Sequence, residues 1–179
     1  MTQNAKRPLR FHIIGSVGSG KTTLARRLSQ DLKIPYYELD NVVWKRSTPK
    51  DIKRTKEERD EIFRGIVNSD SWIIEGVHQG WTEDGFHNSD LIILLDTAYR
   101  VRTFRIVQRF LRQRIGIEKA NYEPTLHMLR MMFLWSRSFE REAKPKILQT
   151  LEPHRDKVLI LPDNTLIDVY LRDWRASRH

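Results

Sequence analysis

Along the chain, apolar residues gather into short continuous runs, separated by stretches in which they recur at helical spacing. Leu9 to Ile14 predicts a buried strand, because Phe11, Ile13 and Ile14 favour extended backbone and Gly15 marks its end. Leu24, Leu28 and Leu32 then repeat every four residues, which predicts a helix starting near Lys21. Ile34 to Leu39 reads as a second strand. Thr55 and Glu58 have capping-box spacing, ahead of a helix given one apolar face by Ile62, Phe63, Ile66 and Val67. Trp72 to Ile74 and Leu91 to Leu95 predict two more buried strands, and Val158 to Leu161 a fifth strand. Before the last of these, Val101, Phe104, Val107 and Leu111 predict the core side of a long helix, with Arg102, Arg105, Arg109 and Arg112 on its other side. Gly116 to Glu123 reads as a mobile connection, and Pro124 as the first turn of a helix running to about Ala143, where Pro145 interrupts it. Pro162-Asp163-Asn164 predicts a turn into a last helix through Leu166, Val169 and Tyr170.

Buried strands alternating with helices call for a parallel sheet covered on both faces. With 179 residues, no internal repeat and no long linker, the expectation is a single domain over 1–179. Its expected architecture is a doubly wound three-layer α/β/α sandwich with a five-stranded parallel sheet and a small helical lid over residues 109–145. The absence of cysteine excludes disulfides, thiolate zinc sites, thiol nucleophiles and iron–sulfur clusters. The longest aliphatic run, Leu91 to Leu95, is far short of the roughly 20 residues that cross a bilayer. Met1 to Arg10 lacks the apolar core of a signal peptide. A cytoplasmic protein without a membrane partner is expected.

The formal net charge of +9 is the unusual bulk number. Its excess lies in the second half of the chain. Between Tyr99 and Arg114 stand six arginines, Arg100, Arg102, Arg105, Arg109, Arg112 and Arg114, with no acid among them. Such a stripe attracts polyanions, which by charge alone could be nucleic acid, acidic lipid or the phosphates of a small substrate.

Gly15-Ser16-Val17-Gly18-Ser19-Gly20-Lys21-Thr22 chooses among these, because it is a complete G-x-x-x-x-G-K-[ST] phosphate loop between a predicted strand and a predicted helix. Glycines let consecutive backbone N–H groups turn toward phosphate oxygens at a helix N-terminus; Lys21 reaches the terminal phosphates, and the Thr22 hydroxyl is offered to Mg²⁺. Thr23 follows in the same segment. ATP and Mg²⁺ are the expected cofactors.

The remainder resembles the nucleoside-monophosphate-kinase group of P-loop proteins, which includes adenylate and shikimate kinases. In Asp96-Thr-Ala-Tyr-Arg-Val-Arg-Thr-Phe-Arg105-Ile-Val-Gln-Arg109, a strand-terminal Asp is followed nine and thirteen residues later by arginines. This is similar to the adenylate kinase segment that opens the lid, and the resemblance implies that Arg105 and Arg109 cover the nucleotide phosphates. Ile73-Ile74-Glu75-Gly76 is similar to the acid–glycine pair ending the third strand in that group, which implies that Glu75 holds a magnesium-bound water. Asp163-Asn164-Thr165 sits where the last loop of those kinases packs on adenine. The Leu39-Asp40-x-x-x-Trp44 run and the arginine-rich helix most resemble bacterial topology-modulation proteins, which are adenylate-kinase-like P-loop ATPases.

Two departures bear on the acceptor. Glu75 stands where Asp is usual, and Val77-His78-Gln79 lacks the Pro-Arg with which adenylate kinases hold the acceptor phosphate. Asp40 stands where shikimate-type kinases use an acid for a hydroxyl acceptor or a magnesium water. Asp40, Trp44 and Gly76 are therefore the expected acceptor-binding positions, with Trp81 and Lys45-Arg46 as candidates that also fit packing or a solvated loop. Arg130, Arg137 and Arg141 on the next helix could close the lid from its other side. The expected activity is transfer of the ATP γ-phosphoryl group to a nucleoside, a nucleotide or another hydroxyl compound. An ATP-controlled DNA-binding protein is the second reading, and nucleic acid the secondary partner.

Overall fold

The computed structural model describes residues 8–48, 51–76, 78, 80–118 and 123–176. In chain order the elements are β1 (Arg10–Gly15), α1 (Lys21–Leu32), β2 (Tyr36–Glu38), α2 (Leu39–Val43), β3 (Trp44–Lys45), β4 (Ile52–Lys53), α3 (Lys56–Val67), β5 (Trp72–Glu75) and α4 (Glu83–Asn88). Then come β6 (Leu91–Leu95), α5 (Tyr99–Arg114), α6 (Leu126–Ser138), a π-helical stretch Phe139–Ala143, α7 (Lys144–Leu151), a 3-10 turn Glu152–Lys157, β7 (Val158–Leu161) and α8 (Ile167–Ala176). The five longer strands form one parallel sheet in the order β2-β5-β1-β6-β7, flanked by helices. This is the expected fold class. The chain divides into two compact units, one taking residues up to Ile14, Thr22–Ile93 and His154–Leu159, the other Gly15–Lys21, Leu94–Pro153 and the chain from Ile160 onward.

In the first unit, β1 pairs with β5 from Arg10 opposite Trp72 to Ile13 opposite Glu75, and β2 pairs with β5 from Tyr36 opposite Ile73 to Glu38 opposite Glu75. That register carries Glu75 to the carboxyl edge of the sheet. The strands are buried throughout β5, as continuous apolar runs require. Leu39, Val42, Phe63, Ile66, Val67, Trp72 and Ile74 close a cluster beneath α2 and α3. The capping box is present: Thr55 Oγ1 accepts from the Glu58 N–H at 3.2 Å, and Glu58 Oε2 accepts from the Thr55 N–H at 2.9 Å. Ile62, expected on the apolar face, is outside it at 38% exposure, because Phe63, Ile66 and Val67 already fill the contact.

His12, in the middle of β1, is fully buried, with its ring 4.5 Å from that of Phe86 and Gly85 pressed against it. A Cβ on Gly85 would lie 2.9 Å from His12 Nδ1, so this position has no room for a side chain. Burial pushes the imidazole pKa down to about 3, and a backbone contact at Gly85 opposes this only in part. The folded chain therefore holds His12 neutral where the unfolded chain protonates it, near pH 6.5. This contribution is complete above the unfolded value and is lost progressively as pH falls toward about 3. Between pH 7 and pH 5 the loss is about 2 kcal/mol. Urea unfolding at the two pH values should show that loss in the wild type and a smaller one in His12→Leu, which has no proton to bind; equal losses would remove the role of His12.

In the second unit, α5 is turned the other way from the expected one. Its buried residues are Arg102, Ile106, Phe110 and Gln113, whereas Val101, Phe104, Val107 and Leu111 face outward. The reason is Arg102, 1% exposed, whose guanidinium donates to Glu140 Oε1 at 2.6 Å and lies over the rings of Tyr99 and Phe139. A charge with its own carboxylate and aromatic stem contacts can be buried, and Ile106 and Phe110, one and two turns on, complete that face. The last helix forms as expected, as α8, with Ile167 and Leu171 buried and Leu166, Val169 and Tyr170 exposed.

The helix expected from Pro124 begins one cap later. Thr125 Oγ1 accepts from the Met128 N–H at 3.2 Å, and Pro124 precedes the cap. Pro145 does not end the helical run. It stands in the first turn of α7, just after the π-helical stretch, where a missing N–H and a widened turn go together. The short α2, the β3–β4 hairpin and α4 are not legible in the apolar pattern. Among the described residues no helix is long and apolar enough to cross a membrane.

Candidate functional site

The phosphate loop begins on Gly15, the last residue of β1, and runs into the first turn of α1. Gly18 has φ +75°, and a Cβ there would lie 3.0 Å from the Arg102 carbonyl oxygen, so only glycine suits both its backbone and its space. The Ser19 N–H donates to the Ser16 carbonyl at 3.2 Å, and Lys21 Nζ donates to the same carbonyl at 2.9 Å, so the lysine closes over its own loop. Ser16 and Ser19 are buried, and Val17 is half-buried. The Ser19 carbonyl accepts from Thr97 Oγ1 at 3.2 Å and from an Arg105 guanidinium N–H at 3.1 Å. These bonds fix the curl of the loop from α5 and from the segment just before it.

Arg105 also lies beside Gly20, 3.6 Å from where a Cβ would stand, and the Asn164 amide approaches the same point at 3.2 Å. Asp163 accepts from the Thr165 N–H at 2.7 Å and from the Thr165 hydroxyl, which hold its carboxyl below the usual range, with the charge of Arg105 acting in the same direction. The structure thus brings together Gly15–Lys21, Arg105, Asp163 and Asn164. Arg109 is placed otherwise, at 3.3 Å from Glu118 and half in solvent. Arg137 and Arg141 line, with Tyr99 and Glu140, a separate cavity of about 340 Å³. Arg130 is exposed on α6.

In the first unit, Thr22 Oγ1 donates to Glu75 Oε1 at 2.7 Å, and Glu75 is 5% exposed. A hydroxyl beside a buried carboxylate is the oxygen donor set that suits Mg²⁺, which keeps most of its shell as water and phosphate. These residues fit the metal. Gly76, at φ +145°, lies so close to α2 that a Cβ would stand 2.8 Å from Leu39 Cβ. Thr23 is exposed on α1.

Asp40, on α2, is met by His78 Nε2 at 3.2 Å. The His78 ring lies 5.4 Å from that of Trp81, and the Arg59 guanidinium sits over Trp81 at 4.4 Å. His78 and Arg59 escaped the sequence reading, since no spacing links residues on α3, α2 and the segment after β5. Trp44 is apart from this group, exposed on the β3–β4 hairpin with Lys53 above its ring. Arg46 is taken up by Asp51 and Asn41. Of the Val77-His78-Gln79 departure, Val77 and Gln79 lie outside the described residues, as do residues 119–122 of the connection after α5.

A family model for shikimate kinase matches residues 17–66, which takes in most of the phosphate loop, α1, α2 and much of α3. The uncharacterized protein YqaC of Bacillus subtilis (strain 168) is 30% identical over 109 residues, and the match covers 60% of this chain and 60% of that relative's length. An uncharacterized protein from Eubacterium ventriosum ATCC 27560 has a similar solved structure, with a TM-score of 0.51 at 13% identity over 95% of this chain and 99% of that one. A gluconokinase from Sinorhizobium meliloti 1021 matches with a TM-score of 0.46 at 15% identity over 89% of this chain and 84% of that one. At 13% identity, the likeness to the Eubacterium ventriosum protein speaks to the fold alone. The shikimate kinase match is a likeness of residues 17–66, and the match spans about 60% of the length of the Bacillus subtilis relative.

Proposed function

We propose that the chain binds Mg²⁺–ATP on the Gly15–Thr22 loop and transfers the γ-phosphoryl group to a small acceptor, a nucleoside, a nucleotide or another hydroxyl compound. The observation that carries this reading is the Ser19 carbonyl held by Arg105, which ties a cation of α5 to the phosphate loop itself. In phosphoryl transfer the developing charge lies on phosphate oxygens, so positioned cations supply most of the catalysis. Lys21 and Arg105 are those cations in this reading. Thr22 and Glu75 hold the magnesium, the hydroxyl as a direct ligand and the carboxylate through a water. Asp40, with His78 beside it, is the acceptor-side group: a carboxylate that can take a hydroxyl hydrogen bond.

Incubation with γ-labelled ATP, Mg²⁺ and a panel of nucleosides, nucleotides and small polyols tests this directly. Label should move to one class of acceptor, and Glu75→Gln should need more Mg²⁺ to reach half of its own maximal rate. Label that moves only to water, with every acceptor inert, would turn the reading to a nucleotide-hydrolysing switch. An unchanged magnesium titration would remove Glu75 from the metal.

A further inference from the structure

Along α5 the residues left outside the core recur at alternating steps of three and four: Val101, Phe104, Gln108, Leu111, and Ile115 just past the helix end. Four of the five are large and apolar, and Phe104, Leu111 and Ile115 are 67%, 54% and 68% exposed. Single exposed apolar side chains are ordinary, but a continuous line of them along a 16-residue helix is a surface that lacks its partner. The step pattern is the narrow seam with which one helix packs on another, knobs into holes.

The positions beside the seam are Arg100, Arg105, Val107, Arg112 and Arg114, and α5 contains no acid. Arg105 is turned to the phosphate loop. Among the described residues the guanidinium groups of Arg100 and Arg112 make no hydrogen bond or ion pair, and the Arg114 guanidinium rests 6.0 Å over the ring of Phe110. Among the described residues, no carboxylate meets the Arg100, Arg112 or Arg114 guanidinium at the edges of the seam.

We propose that the outer face of α5 docks an acidic amphipathic helix of a partner protein, whose apolar residues cover Val101, Phe104, Leu111 and Ile115 and whose carboxylates meet Arg100, Arg112 and Arg114. This is independent of what the phosphate loop binds. Charge selects the occupant. A second copy of α5 would set arginine edge against arginine edge, where like charges oppose pairing. Nucleic acid would answer the arginines and leave Phe104 and Leu111 in water. A lipid surface favours a broad apolar face, whereas this one is a line flanked on both sides by cations.

The test uses the full chain and a fluorescent synthetic peptide of about four heptads, with Leu at a and d and Glu at e and g, against a twin peptide with Lys at e and g. The Glu peptide should bind saturably and the Lys peptide should not. Phe104→Glu with Leu111→Glu should weaken binding by roughly thirtyfold or more. Both side chains are mostly in solvent, and an unchanged thermal melt would confirm that the variant folds. Arg100→Glu with Arg112→Glu and Arg114→Glu should exchange the preference, losing the Glu peptide and gaining the Lys peptide. Equal binding of both peptides, no binding of the Glu peptide, or binding indifferent to these variants would each overturn the proposal. So would a seam that instead drives dimerisation in sedimentation, holds phosphatidylserine vesicles in preference to the peptide, or binds duplex DNA in its place.

Discussion

Lys21→Ala is expected to lower ATP turnover by roughly a hundredfold to a thousandfold, with the fold intact. The ammonium is the loop's own cation, and its bond to the Ser16 carbonyl at 2.9 Å shows that its reach ends inside the loop rather than in solvent. An alanine leaves the backbone cradle in place and removes only the charge that stabilises the terminal phosphates as the transferring bond breaks. The stability change should be small, since the bond to the Ser16 carbonyl that the substitution gives up is worth about 1 kcal/mol. Turnover and thermal melting measured on the same preparation decide the matter. An unchanged rate in a variant that melts like the wild type would remove the phosphate-loop assignment.

How much of this was legible beforehand depends on what kind of signal carried it. The strands were, because β5 and β6 are apolar at every or nearly every position and bounded by turns, so composition and spacing agree. The capping box at Thr55 was, because its two hydrogen bonds are local in sequence. Helix faces were not. In α5 the apolar residues are more numerous than one face can hold, so periodicity alone could not say which set was inside. For α5 the choice was settled by Glu140, thirty-eight residues from Arg102, whose carboxylate allows an arginine to take a core position. The site divides in the same way. The loop reads as a motif, and the family resemblance already placed Arg105, Asp163 and Asn164 at the nucleotide, whereas the meeting of Arg105 and Asn164 beside Gly20 joins segments far apart in the chain. The Asp40–His78 pair has no motif behind it at all, and only the packing of α2 on the segment after β5 reveals it.

Arg105 and Arg109 resemble a pair in the sequence, and the structure separates them, so their substitutions should no longer behave alike. Arg105 already donates to Ser19 and lies against Gly20, which places its guanidinium where a polyphosphate on the loop would present oxygens. Arg105→Ala should therefore lower turnover by roughly a hundredfold. It also frees one donor from the Ser19 carbonyl, but Thr97 Oγ1 still occupies that oxygen, so the loop keeps part of its support. Arg109 is held by Glu118 near the far end of α5 and must leave that pair to reach a phosphate. Arg109→Ala should cost less, by about tenfold, and Glu118→Gln should not lower turnover, because it only releases Arg109. Lysine at 105 separates the two functional readings. A point charge restores attraction but not the planar two-pronged geometry, so phosphoryl transfer should recover only in part. A surface that merely tracks a nucleic-acid backbone would accept lysine almost as well as arginine, with a steep loss of binding as salt rises. Steady-state turnover and DNA binding for Arg105→Ala, Arg105→Lys and Arg109→Ala therefore give opposite patterns. If transfer is indifferent to all three while DNA binding falls with each alanine and returns with lysine, then α5 serves nucleic acid and the kinase reading gives way.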